Sequence, residues 1–146
     1  KWRKDTNINE YSIGIELENK GHQYGYSNFT NKQYKSLKKT IVFLKHNFYI
    51  YDKNILFHSD IAPNRKEDPR EKFFINRIGI NRFNNKKIKQ KYTLDEMLNL
   101  YGFHKSYITN YKKFCIMAVK RSLNYKVINP IQSKKFLSDF YNLIFR

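Results

Sequence analysis

The sequence predicts an α/β fold, a sheet flanked by helices, followed by a small unit of three helices. Three observations carry this expectation. Tyr11 to Asn19 alternates apolar and polar residues, a capped amphipathic stretch follows at Thr30, and the C-terminal third holds three more stretches with apolar residues at helical spacing.

In the first of these, Tyr11, Ile13, Ile15 and Leu17 fall on one face, and Ser12, Gly14, Glu16 and Glu18 on the other. A period of two over this length argues a half-buried strand. Gly14 leaves space above such a strand for a close approach, and Glu16 stands beside that space. From the alternation alone, a Glu16 that simply faces solvent is the favoured reading. Lys20 to Phe29 reads as a loop containing Gly21, His22, Gly25 and Tyr26. Thr30 and Gln33 form a capping box, which starts a helix. Tyr34, Leu37, Ile41, Leu44 and Phe48 make its apolar stripe, with Lys35, Lys38, Lys39 and Lys45 over much of the rest. Asp52-Lys53-Asn54 marks a turn, and Ile55-Leu56-Phe57 a short buried strand. His58 is then expected at the C-terminal end of that strand, where open α/β sheets place ligands.

Residues 76–92 include Asn-Asn-Lys-Lys-Ile-Lys-Gln-Lys and read as a basic linker. Beyond it, Thr93 caps a short helix with Glu96 as its capping-box partner, and Gly102 stops it. A second helix is expected over Thr109 to Asn124. Ser133 caps a third, whose stripe is Phe136, Leu137, Phe140, Leu143 and Ile144. The domain division that follows is 1–75, a linker over 76–92, and a helical unit over 93–146.

Composition bounds what such a chain does. Its 146 residues suit one ordinary domain or two small ones, and 12 Tyr with 12 Phe are enough for a packed core. A formal charge of +17 points to an anionic partner: nucleic acid, acidic lipid or wall polymer. Coding bias is the competing explanation, because Lys, Asn, Ile, Tyr and Phe are enriched together and the positive charge is scattered. No nucleic-acid reader motif accompanies the charge. A single cysteine, Cys115, excludes an intrachain disulfide framework, and no run reaches the apolar length that spans a bilayer.

The stretch that carries chemistry is Phe57 to Pro69, reading F-H-S-D-I-A-P-N-R-K-E-D-P. An imidazole and a carboxylate, His58 and Asp68, suit a borderline-soft cation such as Zn²⁺. Pro63 and Pro69 stiffen the loop between them, and Lys66 adds a positive charge two residues before the aspartate. A His and an Asp in a polar loop also describe an ordinary solvated surface.

Two segments then resemble a known family. Asn9 to His22 (N-E-Y-S-I-G-I-E-L-E-N-K-G-H) and His58 to Pro69 look like the signature blocks of type-2 N-acetylmuramoyl-L-alanine amidases. These are zinc enzymes that cut peptidoglycan between muramic acid and L-alanine, related to phage amidase lysozymes and peptidoglycan recognition proteins. The resemblance covers residues 7–75 closely. It implies a mixed sheet belonging to the C-terminal part of the amidase fold, and a bound Zn²⁺ with His58 and Asp68 as two protein ligands. It further implies Lys66 as the cation that stabilises the oxyanion, and Glu16 as the carboxylate that handles protons on water and leaving amine. Peptidoglycan or muropeptides are the implied partner, and the cell envelope or periplasm the implied compartment, with the cytoplasm as alternative. The helical unit is similar, more loosely, to a small peptidoglycan-binding domain, with Ala118, Val119 and Lys120 in place of that domain's Ala-Phe-Gln; a generic helical tail is the alternative.

The departures set further expectations. The family's first zinc ligand is a histidine on an early strand ahead of the first block, and the sequence opens on Lys1, so an N-terminally incomplete amidase with impaired activity is expected. His22 belongs to the family's own Gly-His loop, and His46 and His104 read as surface or packing residues. Arg70 stands where the family has Gly, a poor fit if that turn needs positive φ. The family's F-P-W ending is Phe73-Phe74-Ile75 here. Without upstream partner strands, Tyr11 to Asn19 is expected to carry an unpaired edge.

Overall fold

The computed structural model describes residues 2–3, 5–80, 92–126 and 128–145. Most of the basic linker expected over 76–92 lies outside these residues. The architecture is helical: α1 (Asn31–Phe48), α2 (His58–Ile61), α3 (Leu94–Tyr101), α4 (Lys105–Ser122) and α5 (Lys134–Ile144). Among the described residues 3₁₀ turns precede α1, at Ile8–Tyr11 and His22–Tyr24, and lie between later helices, at Asp52–Asn54 and Ile75–Ile78.

The expected α/β fold, a mixed sheet flanked by helices, is therefore corrected. Among the described residues there is no sheet, and the β-pairing is an isolated bridge between Trp2 and Asp5. A strand is stabilised by its neighbour's N–H and C=O groups, and among the described residues no segment forms a ladder with residues 12–20. Tyr11 ends a 3₁₀ turn, and Ile13 and Ile15 are 51% and 41% exposed on the face expected to be buried. Alternation in sequence states which side would be covered; it does not supply the cover. The segment is tied at its end, where Gln33 Nε2 donates to Glu18 O (2.7 Å) and Asn19 Nδ2 to Ser27 O (3.0 Å). Ile55 to Phe57 likewise forms no strand, so His58 opens a one-turn helix instead of ending a sheet.

The helices follow their capping residues. Thr30 Oγ1 accepts from Gln33 N and Gln33 Oε1 accepts from Thr30 N, satisfying two of the orphan donors of the first turn. The Thr93–Glu96 box repeats this at α3, and Ser133 Oγ accepts from Phe136 N at α5. The second C-terminal helix starts earlier than expected, at Lys105. His104 caps it: Nδ1 accepts from Ser106 N at 3.4 Å and lies 2.8 Å from Ser106 Oγ. A kink at Tyr111 (φ −133°, ψ 25°) interrupts α4 near the expected start.

Two apolar cores result. One joins Phe29, Tyr34, Leu37 and Ile41 to Phe57, Phe73, Ile75, Ile78 and Ile80. The other packs α3, α4 and α5 around Met97, Leu98, Phe103, Cys115, Val119, Phe136 and Phe140, and includes Trp2. Burial pushes the Cys115 thiol up to about 12, so it behaves as a small hydrophobe. Neighbouring residues Leu56 and Phe57 face different cores.

Polar groups join the cores. Asp60 is fully buried; its Oδ2 accepts from Phe57 N (2.8 Å), its Oδ1 accepts from Ser122 Oγ, and Tyr101 Oη lies 3.0 Å from Oδ1 and 3.1 Å from Ser122 Oγ. Tyr107 Oη donates to Asn64 Oδ1, and Arg121, 7% exposed, reaches Glu67 Oε1 at 3.4 Å. The His58–Arg70 stretch is thereby fastened to α3 and α4.

Trp2 adds an aromatic link. Its indole stands edge-on to Tyr101 and Phe103, with centroids 5.2 Å away in each case. Gly102 ends α3 at φ 146°, and a Cβ placed there would meet the indole at 2.4 Å.

Two outcomes follow for stability. Gly102→Ala combines left-handed backbone with a collision against Trp2, and is expected to lower unfolding free energy by about 2–4 kcal/mol. Asp60→Ala strips the acceptor from two buried hydroxyls and the Phe57 amide, and should cost about 3–5 kcal/mol. Urea unfolding followed by circular dichroism checks both; a loss below about 1 kcal/mol for either variant contradicts the packing described.

Candidate functional site

The site grows from the single turn of α2. Asp60 caps its start from within, and the chain then reverses, with Arg65 N and Lys66 N both donating to Ala62 O (3.1 and 2.9 Å). Ser59 N donates to Asp68 O at 3.2 Å, which draws the end of the loop back to its beginning. Tyr26 Oη donates to Pro69 O (2.8 Å) and accepts from Lys72 N (3.1 Å), and burial pushes this phenol up to about 12. It stays a neutral donor at physiological pH.

This closure brings His58 and Asp68 into contact, with Nδ1 and Oδ2 2.6 Å apart. Both side chains are about half exposed, at 55% and 53%, so a ligand has access to them. Lys66 is exposed on the wall of an open cleft of about 330 Å³, which Asp68, Arg65, Glu67 and Arg70 also line; Phe114 of α4 joins them. Glu16 is not part of this group. It is exposed on the extended segment, and among the described residues no hydrogen bond or ion pair joins it to His58, Lys66 or Asp68.

The other histidines lie elsewhere. His22 Nε2 is 3.4 Å from Glu71 Oε1 and its ring lies on Tyr26 at 4.6 Å; His104 is the α4 cap. Among the described residues no group of three His, Cys, Asp or Glu side chains converges.

The donor chemistry at His58–Asp68 fits zinc. A tetrahedral ion with Zn–N and Zn–O bonds of about 2.1 Å holds two such atoms roughly 3.4 Å apart. The observed pair is in direct contact, so roughly 0.8 Å of side-chain separation admits the ion, within reach of half-exposed groups. Among the described residues the donor set stops at two.

Arg70 does take the left-handed conformation, with φ 64°. Its backbone N–H donates to Glu67 O (3.0 Å), and its guanidinium pairs with Glu67 Oε2 at 2.6 Å. The ion pair is partly solvated and worth under about 1 kcal/mol, of the same size as the backbone cost. Glu67 thus sits between Arg70 and the buried Arg121, whose guanidinium burial holds below its ordinary pKa.

Sequence reasoning passed over Asp60, Glu67 and Phe114. An acid inside the short run between Phe57 and Ile61 was a usable signal for the first. The partners Tyr101, Ser122 and Arg121 are 41 to 62 residues from Asp60, or 54 from Glu67, and carry no local signature.

Residues 1–71 match the family described as N-acetylmuramoyl-L-alanine amidase. Over 73 residues the chain is 38% identical to N-acetylmuramoyl-L-alanine amidase AmiD of Escherichia coli (strain K12), covering 47% of this chain and 26% of that protein. Over 66 residues it is 42% identical to 1,6-anhydro-N-acetylmuramyl-L-alanine amidase AmpD of Haemophilus influenzae, covering 44% of this chain and 34% of that protein. The chain thus spans about a quarter to a third of the length of these relatives. No solved structure matches it significantly. Residues 1–71, which hold His58, Lys66 and Asp68, are thus the part of the chain that is similar to N-acetylmuramoyl-L-alanine amidases of type 2.

Proposed function

We propose that this chain serves hydrolysis of the amide between N-acetylmuramic acid and L-alanine in peptidoglycan or muropeptides. The observation that carries the reading is the 2.6 Å approach of His58 Nδ1 to Asp68 Oδ2 inside the matched stretch. In this reading His58 and Asp68 are two protein ligands of a zinc ion. Bound there, zinc supplies Lewis acidity and a water whose pKa falls to about 7.

The remaining roles belong to the chain's own cations and carboxylates. Lys66, exposed in the cleft beside Asp68, presents an ammonium to the oxygen of the scissile carbonyl as it gains charge. Glu16, exposed and apart from the His58–Asp68 pair, is given the transfer of a proton from water to the leaving amine by the family resemblance alone. Residues 93–146 serve as a wall-contacting helical unit after the basic linker; Phe114 on the cleft wall supports this, placing an α4 side chain where substrate would lie.

A second reading, a catalytically inactive peptidoglycan binder, is favoured by the ligand count. Catalytic zinc sites use three protein ligands and keep one position for water, and among the described residues two donors meet. The chain as given is accordingly expected to hold zinc weakly and to turn over substrate poorly.

Zinc titration by competition with a chromophoric chelator is expected to show micromolar or weaker binding that disappears in His58→Ala and in Asp68→Ala. Binding unchanged by both substitutions rejects the ligand assignment. In parallel, chromatography of a muropeptide incubated with the zinc-loaded chain should show little released peptide; one tight metal per chain with rapid release contradicts the impaired activity. Any measurable turnover should fall about 10²–10³-fold in Lys66→Ala with zinc affinity unchanged, and an unaffected rate removes Lys66 from its role.

A further inference from the structure

Helix α1 shows two different apolar surfaces. Tyr34, Leu37 and Ile41 are buried in the core. The opposite side carries Lys32, Lys35, Lys38 and Lys39, all exposed, followed by Val42 and Phe43, which are 58% and 62% exposed. At 100° per residue these six side chains fall within one arc on the side away from the core stripe. The helix contains no Asp or Glu. Among the described residues an acid, Asp52, pairs with its Lys45, outside that arc. Lys35, Lys38, Lys39, Val42 and Phe43 wall a shallow groove whose lining is almost wholly apolar, lysine methylenes beside the two hydrophobic side chains.

We propose that this face docks on an anionic lipid bilayer, with α1 lying in the plane of the interface. Charge complementarity argues for an anionic partner, since four ammonium groups stand on one side of a helix without acids. The apolar pair selects the bilayer over a dissolved polyanion. A polyanion satisfies the lysines but leaves Val42 and Phe43 in water; the headgroup boundary accepts both, with lysine stems snorkelling to the phosphates. Nothing here requires crossing a membrane, and among the described residues no helix is long and apolar enough to do so. The inference stands apart from the amidase reading, which uses none of these residues.

The test is co-sedimentation of the full chain with phosphatidylcholine vesicles, with or without about one-third phosphatidylglycerol, in about 0.1 M salt. Binding is expected on the anionic vesicles and not on pure phosphatidylcholine. Each interfacial lysine is worth roughly fivefold in partitioning, so Lys35→Ala/Lys39→Ala should weaken binding at least about tenfold. Phe43→Ser and Val42→Ser, made separately, should each weaken it severalfold; all four positions are exposed, so circular dichroism should be unchanged. A control pair on α4, Lys105→Ala/Lys113→Ala, removes the same charge and should change binding less than about threefold. The proposal is overturned if the control pair matches the α1 pair, if both serine variants bind like the parent, or if pure phosphatidylcholine binds equally well.

Discussion

A buried carboxyl group lies at the centre of the contacts that hold the two halves of this molecule in register. Asp60 is enclosed among Phe57 N–H, Ser122 Oγ and Tyr101 Oη, so it caps α2 and receives α3 and α4 together. A polar group with no access to water is tolerated only when its partners are in place. That requirement makes the network directional where apolar packing is not. Met97 or Phe136 would tolerate small slippage of the helices; the hydroxyls of Tyr101 and Ser122 would not. Because Asp60 lies two residues after His58, the same constraint fixes the base from which the imidazole projects.

The second half of the chemistry-bearing loop is held by different means. Ser59 N and Tyr26 Oη fasten Asp68 O and Pro69 O, and Glu67 is shared between Arg70 and Arg121. Arg121 is a buried cation whose Nη1 has no hydrogen-bond partner among the described residues. Such a group depends on Glu67 for its charge balance. The loop therefore has its main-chain geometry set from within residues 1–71 and its outer wall set by α4, which lies outside the family match.

What the sequence announced, it announced through local chemistry. Thr30 with Gln33, Thr93 with Glu96, and Ser133 state where helices begin because a capping side chain needs only residues two or three positions away. The stripe of Phe136 and Phe140 was legible for the same reason. His58 and Asp68, read as metal ligands from the one block His58 to Pro69, stand in direct contact, and their metal role belongs to the proposal. Residues 12–20 were misjudged because a strand is a property of two segments, and the alternation of Ile13 and Ile15 belongs to one. His104 escaped notice as a helix start because histidine is an uncommon cap. Arg70 was read as a poor fit if its turn needs positive φ; the turn does take it, at φ 64°, with arginine in place.

The seat of Trp2 against Gly102 has a consequence for how the chain comes to be folded. Its indole finds its pocket only after α3 has been made, and the core that shelters it is completed by Phe136 and Phe140 near the other end. During synthesis the Trp2 indole must wait, uncovered, until Phe136 and Phe140 have been made. Loop closure over such a separation is slow compared with helix formation. Synthesis of α5, and not that of the helices before it, is therefore the step that lets this core close over the indole.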